Sequence, residues 1–193
     1  MAELPEGFLY RPDLITAEEE RSLVNDVRGV DFVRFTMHGV ESRRRVAHFG
    51  WLYGYESWKI APGPAIPEFL LPLRAKLAAW RQLDPELLAE ALVTEYSPGA
   101  GIGWHRDAPP FGIVVACSLL SPCRFRLRRG TSGRTDVTVA IAPRSGYVLS
   151  GPARTQWQHS ISPAKELRYS ITFRTLREKT ASARTQKSSR ASD

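Results

Sequence analysis

The chain has 193 residues, 42% hydrophobic and 24% charged, which suits one folded domain with its own core and excludes a collagen-like, disulfide-stapled or wholly disordered protein. Of its net charge of +7, residues 177–193 contribute Arg177, Lys179, Arg184, Lys187 and Arg190 against Glu178 and Asp193, which leaves a +4 domain that suits a polyanionic partner without requiring one. The opening MAELPEGF shows no basic segment before an apolar one, no run approaches a membrane span, and the two cysteines, Cys117 and Cys123, form no C-x-x-C, so a cytoplasmic monomer with buried free thiols and no membrane partner is expected.

In chain order, Thr16 and Glu19 form a T-x-x-E capping box that opens a helix, with Leu23, Val24 and Val27 on one face. Residues 32–59 follow no clean helical period. Arg43, Arg44, Arg45, His48, Phe49, Trp51, Tyr53, Tyr55 and Trp58 interleave charge and ring there, which predicts short strands and loops. A second helix is predicted over 67–81, where Leu70, Leu73, Leu77 and Trp80 keep a three–four spacing and Pro67 and Pro72 fit only the beginning. From Ala91 onward the pattern shortens to eight candidate strands, at 91–96, 102–107, 113–120, 123–128, 136–141, 146–150, 156–161 and 167–174. Turn signals such as Ser97-Pro98-Gly99 and Arg129-Gly130 separate them. A helical half followed by short strands predicts an α+β domain over 1–176, closed as an antiparallel double sheet or jelly roll with helices on its outer face. The Ser-, Thr-, Lys- and Arg-rich stretch 177–193 is expected to be a disordered basic tail.

Within Gly103-Trp104-His105-Arg106-Asp107 stands His-x-Asp. On an extended strand residues i and i+2 point to one side, so imidazole and carboxylate can face one point. His159 stands later, in Trp157-Gln158-His159-Ser160-Ile161. Two histidines and one carboxylate with open positions suit non-haem Fe(II), and zinc could bind the same three. His48 and His38 read as loop or phosphate-contacting residues rather than ligands.

The last strand alternates Arg168, Ser170, Thr172 and Arg174 on one face with Tyr169, Ile171 and Phe173 on the other. The polar face is either a solvent-facing edge or a polar interior that grips an anion, a task for which the planar fork of Arg is suited. On strand 91–96, Thr94 and Tyr96 share one side and could offer hydroxyls to that anion, or Tyr96 could be an ordinary core ring. A small diacid that chelates iron at one end and meets an arginine at the other joins both halves, and 2-oxoglutarate is such a molecule.

These residues, in this order, resemble the AlkB family of dioxygenases. The match runs from Leu92-Val93-Thr94-Glu95-Tyr96-Ser97-Pro98-Gly99 through His105-Arg106-Asp107 and His159-Ser160-Ile161-Ser162-Pro163 to Arg168-Tyr169-Ser170-Ile171-Thr172-Phe173-Arg174. Leu4-Pro5-Glu6-Gly7-Phe8 and Arg44-Arg45-Val46-Ala47-His48-Phe49-Gly50 also look like that family, so the resemblance spans roughly residues 4 to 176. It implies a double-stranded β-helix core over about 91–176 and a substrate-binding lid over about 32–59. It implies that His105, Asp107 and His159 hold Fe(II), that Arg168 pairs with the distal carboxylate of 2-oxoglutarate beside Tyr96, and that Arg174 lies near the cofactor's inner end. Thr94 and Ser170 stand where many members carry Asn, a change that keeps a hydrogen-bonding group.

The implied reaction uses Fe(II), 2-oxoglutarate and O2 to dealkylate methylated single-stranded DNA or RNA, releasing formaldehyde, succinate and CO2. A base must leave its stack to reach such a site, so Trp51, Tyr53 and Tyr55 are candidates to receive it and Arg43, Arg44 and Arg45 to hold phosphates. The same cluster could instead be an aromatic mini-core under a solvated turn. Pro109 stands where the best-known dealkylase of the family has an acid near the substrate base, which keeps a modified tRNA base or a protein side chain open as substrate. A non-enzymatic nucleic-acid-binding module is the remaining alternative.

Overall fold

A computed structural model of the protein describes residues 3–37, 40–54, 57, 59–130 and 136–177. Tyr55, His38, Trp58 and the stretch after Arg177 lie outside the described residues. Among the described residues twelve strands and three α-helices follow in order: β1 (Phe8–Arg11), α1 (Ala17–Val27), β2 (Val33–Met37), β3 (Val40–Gly54), β4 (Lys59–Pro62), α2 (Leu71–Arg81), β5 (Leu88–Tyr96), β6 (Ile102–His105), β7 (Phe111–Leu119), β8 (Cys123–Arg129), β9 (Val137–Ile141), β10 (Gly146–Leu149), α3 (Gly151–Thr155), β11 (Trp157–Ile161) and β12 (Arg168–Leu176).

The capping box is complete. The Thr16 hydroxyl accepts from the Glu19 amide at 3.1 Å, and the Glu19 carboxylate accepts from the Thr16 amide at 2.7 Å. The helix this opens buries Leu23, Val24 and Val27. Before α2, Pro67 precedes a short 3-10 turn, Glu68–Leu70, and Pro72 sits in the first turn of α2, where a missing amide hydrogen is harmless. Both helices lie on the outer face of a large antiparallel sheet ordered β1-β10-β7-β12-β5-β3-β2, with β4 paired to β3. Leu73 and Leu77 pack there in one cluster with Val93, Val115, Ile171 and Phe173. Each such side chain, fully buried, contributes roughly 1.5–3 kcal/mol.

A second sheet, ordered β6-β11-β8-β9, covers the inner face of the first. Phe8, Phe125, Leu127, Ile141, Tyr147 and Leu149 fill one side of the space between them. The protein is a double-stranded β-helix with helices on its outside.

All eight strands expected after Ala91 form, and the helices pack where a jelly roll needs them. Three features differ from the sequence expectation. First, β3 is a single 15-residue strand rather than short strands and loops. Its first part, Arg45 to Gly50, pairs with β5, and its second, Trp51 to Gly54, pairs with β4. The switch falls at Gly50, whose φ is +77° and whose Cβ position lies 2.2 Å from the Ala89 carbonyl oxygen, so only glycine fits. Second, β6 ends at His105 and Asp107 falls in the connection after it, so a shared strand does not explain how the two come together. The Pro109-Pro110 pair just beyond cannot donate to a ladder. Third, β1 and α3 carry no strong sequence signal and appear nonetheless.

Candidate active site

The centre of the large sheet decides the chemistry. Antiparallel pairing of β12 with β5 sets Arg168 opposite Tyr96, Ser170 opposite Thr94, Thr172 opposite Leu92 and Arg174 opposite Glu90. Period-two alternation then sends Ile171 and Phe173 into the core under the helices, while Thr94, Tyr96, Ser170, Thr172 and Arg174 line a cavity of about 500 Å³ between the sheets. The polar face of β12 is therefore interior, not a solvent-facing edge. Arg168 is 0% exposed. Its Nε donates to the Ser118 hydroxyl at 3.0 Å, and its guanidinium carbon lies 5.0 Å from the Tyr96 ring centroid. Both terminal nitrogens are buried without a hydrogen-bond partner. A buried, half-satisfied cation costs several kcal/mol unless an anion completes it. Arg168 does not itself line the cavity; the Tyr96 ring packs against it. Burial raises the Tyr96 and Tyr147 hydroxyls above the ordinary phenol range despite the pull of Arg168, so both stay protonated.

The other side of the cavity carries His105, Asp107 and His159. In the small sheet His105 lies in register with His159, and the ring centroids are 4.2 Å apart. Asp107 Oδ2 lies 3.6 Å from His159 Nε2 and is buried without a hydrogen-bond partner. Phe125 stacks on His159 at 5.3 Å and 13° and fixes its ring plane. Burial pushes His159 down to about 3 and lowers His105 as well, so both imidazoles are neutral at physiological pH, the form that binds metals. His105 Nδ1 lies 2.9 Å from the Gly103 carbonyl, which only accepts; the proton is on Nδ1 and Nε2 keeps its lone pair. Burial alone would raise Asp107, but Arg174, both histidines and Arg154 outweigh it and hold the carboxyl well below the usual range. Among the described residues no three His, Cys, Asp or Glu side chains stand closed around one point. The three are adjacent, and Arg174 occupies the other oxygen of Asp107.

That arginine belongs to a buried relay. Arg174 Nε donates to Asp107 Oδ1 at 3.0 Å, and its Nη1 donates to both oxygens of Glu90 at 2.9 and 2.6 Å. Glu90 is 1% exposed and also accepts from His48 Nδ1 at 3.2 Å. A second device holds the loop of Asp107: buried Arg154, from α3, donates through Nη2 to the carbonyls of Asp107, Ala108 and Phe111 at 3.1, 2.8 and 3.0 Å. The sequence reading missed Glu90, Arg154, Phe125 and Tyr147. Only Glu90 left a signal, as a carboxylate directly across the ladder from Arg174.

The residues expected to meet substrate divide. Arg44 lines the cavity, with Ser42, Val46 and His48 of the same face of β3. Arg45 points to the other face and forms a two-pronged pair with Glu95, at 2.8 Å on each prong, so it is not placed to hold a phosphate at the cavity. Arg43 is exposed beside Gly99 and does not line the cavity. Trp51 lines a separate recess with Pro62, Ile66 and Arg74, on the far side of the Gly50 switch. Tyr53 also lies beyond that switch, paired with Ile60. Trp104, next to His105, lines the cavity together with Tyr96, Phe125 and Tyr147.

The cavity thus has a neutral histidine pair and a carboxylate on one side and an orphaned buried arginine behind the other. The sequence matches the 2OG-Fe(II) oxygenase superfamily over residues 7–177. The chain belongs to that superfamily. As a 2OG-Fe(II) oxygenase it is a 2-oxoglutarate-dependent dioxygenase whose cofactors are Fe(II), 2-oxoglutarate and O2. It is of the AlkB type. It is 26% identical over 185 residues to the uncharacterized protein L905 of Acanthamoeba polyphaga mimivirus, covering 88% of this chain and 85% of that one. It is 30% identical over 177 residues to the mouse tRNA (carboxymethyluridine(34)-5-O)-methyltransferase ALKBH8, covering 84% of this chain but 25% of that protein. The structure of OsALKBH1 superposes with a TM-score of 0.70 at 15% identity, covering 90% of this chain and 98% of the other, a likeness of fold. No helix among the described residues is long and apolar enough to cross a membrane.

Proposed function

We propose that this oxygenase demethylates N-alkylated bases in single-stranded nucleic acid, acting as a cytoplasmic monomer. The observation that carries the cofactor half is the pair of orphaned buried groups, Asp107 Oδ2 on one side and the Arg168 terminal nitrogens behind the other. His105, Asp107 and His159 would hold Fe(II), and Arg168 would take the distal carboxylate of 2-oxoglutarate with Tyr96 beside it. Bound together with O2, these supply the oxidising power that hydroxylates an N-methyl group, which leaves as formaldehyde. The chain's own residues orient and shield. Arg174 and Arg154 hold the Asp107 loop, Phe125 holds the His159 ring, and the two sheets frame a cavity of about 500 Å³. Thr94 and Ser170 offer hydroxyls along the wall. Arg44 and Trp104 stand where an unstacked base would enter, and a net charge of +7 favours a polyanionic substrate. Two buried free cysteines suit a reducing compartment, and burial raises the Cys117 thiol to about 12, so it is inert.

A modified tRNA base is the second reading. It is favoured by the printed name of the mouse relative, of which this chain spans a quarter, and by exposed Pro109 in place of an acid near the base.

The test is succinate and formaldehyde formation with Fe(II), 2-oxoglutarate and O2, with methylated single-stranded DNA, methylated RNA, tRNA or no nucleic acid, and an Asp107→Ala control. Turnover stimulated by methylated DNA or RNA and lost in the control is the expected outcome. Stimulation by tRNA alone moves the substrate to the second reading. Metal-dependent turnover indifferent to every nucleic acid would remove nucleic acid as the substrate.

A further inference from the structure

The outer face of the small sheet does something the cavity does not require. Along β8 the inward residues Cys123, Phe125 and Leu127 are buried, while the alternate residues Arg124, Arg126 and Arg128 face outward. Register places Arg128 beside Gln158 and Arg126 beside Ser160 on β11, and Arg126 beside Thr138 and Arg124 beside Ala140 on β9. Neutral groups hold the row. Arg126 Nε donates to the Ser160 hydroxyl at 3.0 Å, and Arg128 Nε donates to the Gln158 side chain at 2.7 Å. Trp104 on β6 lies under both guanidiniums, at 5.1 Å from Arg126 and 4.4 Å from Arg128. At the same end, Gln156 accepts from Arg129 through its side chain at 2.9 Å and from Arg106 through its backbone at 3.3 Å.

Five arginines are thus gathered on one surface, and among the described residues none of Arg106, Arg124, Arg126, Arg128 or Arg129 forms an ion pair with a carboxylate. The nearest acid contact is Asp136, which accepts from the backbone amide of Arg129 at 2.6 Å. Elsewhere in the described residues Arg45, Arg74, Arg144 and Arg174 do pair with carboxylates. The row is oriented by neutral acceptors and so keeps its positive charge. It presents positive charge at intervals of about 6.6 Å, two residues of a strand, comparable to the step between phosphates of an extended single strand. Trp104, beneath Arg126 and Arg128, also lines the cavity.

We infer that the outer face of the small sheet, Arg124-Arg126-Arg128 with Arg106 and Arg129, is the track for the phosphate backbone of the nucleic-acid substrate, leading it past Trp104 to the cavity mouth. The inference rests on the nucleic-acid reading above. It assigns backbone binding to a surface on the opposite side of the mouth from the lid, where the sequence pattern had suggested it. Phosphate contacts of this kind position a strand without reading its sequence.

The experiment is fluorescence anisotropy of the full chain with a fluorescein-labelled, unmethylated single-stranded oligouridylate, titrated over a range of KCl. The variant Arg124→Gln/Arg126→Gln/Arg128→Gln should bind at least tenfold more weakly at low salt. Its plot of log affinity against log salt should be shallower by about 2, since each lost phosphate contact on a single strand removes about 0.7. Succinate formation without nucleic acid should match the parent. A second variant, Arg124→Gln/Arg129→Gln, touches only exposed side chains and should lower the slope by about 1.4, which keeps the test open if the triple variant folds poorly. Parent-like affinity and slope in both variants, while the parent binds, would overturn the track and leave the substrate reading intact. Polyglutamate binding as tightly as the oligouridylate at equal salt would overturn the assignment to nucleic acid. No salt-dependent binding by the parent itself would remove both the track and the reading beneath it.

Discussion

The β5–β12 ladder and the β3 strand beside it are neighbours in one sheet, yet they use their side chains differently. In the ladder every second residue of both strands serves the cavity, and each is set by a partner directly across. In β3 consecutive arginines part company: Arg44 turns to the cavity and Arg45 to Glu95 on the far side, and the pairing changes partner at Gly50. A strand flanked on both sides has its register fixed and its faces assigned. A strand that leaves one partner for another keeps alternation but loses a single role for each face.

The comparison breaks first at Arg168. Replacement by Met should raise the KM for 2-oxoglutarate by about a hundredfold or more, since losing one partner of a buried charge pair costs roughly 2–5 kcal/mol. The cofactor-free protein should nonetheless be as stable or more so, because an unpaired buried cation is exchanged for an apolar side chain of similar length. Thermal unfolding with and without 2-oxoglutarate separates the two effects. A destabilised variant with unchanged KM would show that Arg168 is a structural pin.

Glu90 tests how far the ladder's influence reaches. In Glu90→Gln the Arg174 fork loses its charged partner, and Asp107 must share that arginine with a weaker acceptor. Supporting residues around metal ligands typically contribute 10- to 100-fold in metal affinity or activity, and about tenfold weaker Fe(II) activation is expected here. Titrating activity against Fe(II) reads this, and an effect confined to the KM for nucleic acid would place Glu90 with the lid instead.

How much could be read without coordinates follows the same division. Arg168, Ser170, Thr172 and Arg174 were legible as one polar face by period two, but its choice between interior and solvent-facing edge is made only by the second sheet that covers it. His105, Asp107 and His159 were legible by type and order, as His-x-Asp and a later histidine. The route by which Asp107 arrives was not, because the strand stops at His105 and the loop is held by Arg154 from a helix five residues long. Trp51 and Arg45 were misplaced because composition marks a basic, aromatic stretch without saying which face each residue takes. The arginines of β8 were visible as letters, but their outward direction depended on Phe125 and Leu127 being core, which only the second sheet establishes.

Gly50 carries the switch in β3, and Gly50→Ala should show its cost. An alanine there meets the Ala89 carbonyl and holds a left-handed φ of +77°. Strain of this kind costs of the order of 1–3 kcal/mol, and a melting temperature lower by about 5 °C is expected, at roughly 2–4 °C per kcal/mol for a chain of this length. The ladder should survive, so the KM for 2-oxoglutarate should stay near that of the parent while the KM for oligonucleotide rises. Equal changes in both would mean that β3 and β5 move as one body.

The smallest effect separates the two arginines of β3. Glu95 is held below its ordinary value of 4.5, chiefly by the hydrogen bonds from Arg45 and against the opposing effect of burial. A depressed carboxylate contributes stability that is fully present above its unfolded pKa and disappears as pH falls through its folded one. The parent should therefore exceed Arg45→Gln in stability at neutral pH, with the gap narrowing below about pH 4.5. Arg45 is 44% exposed, so solvent screens the pair and the gap should be no more than about 1 kcal/mol. Arg44→Gln should leave the acid limb of the stability curve as it is and raise the KM for oligonucleotide instead. Denaturation midpoints from pH 3 to 7 for both variants decide the matter. A pH-independent gap in Arg45→Gln would mean that Arg45 stabilises by packing over Phe32, 5.4 Å beneath it, rather than through its charge.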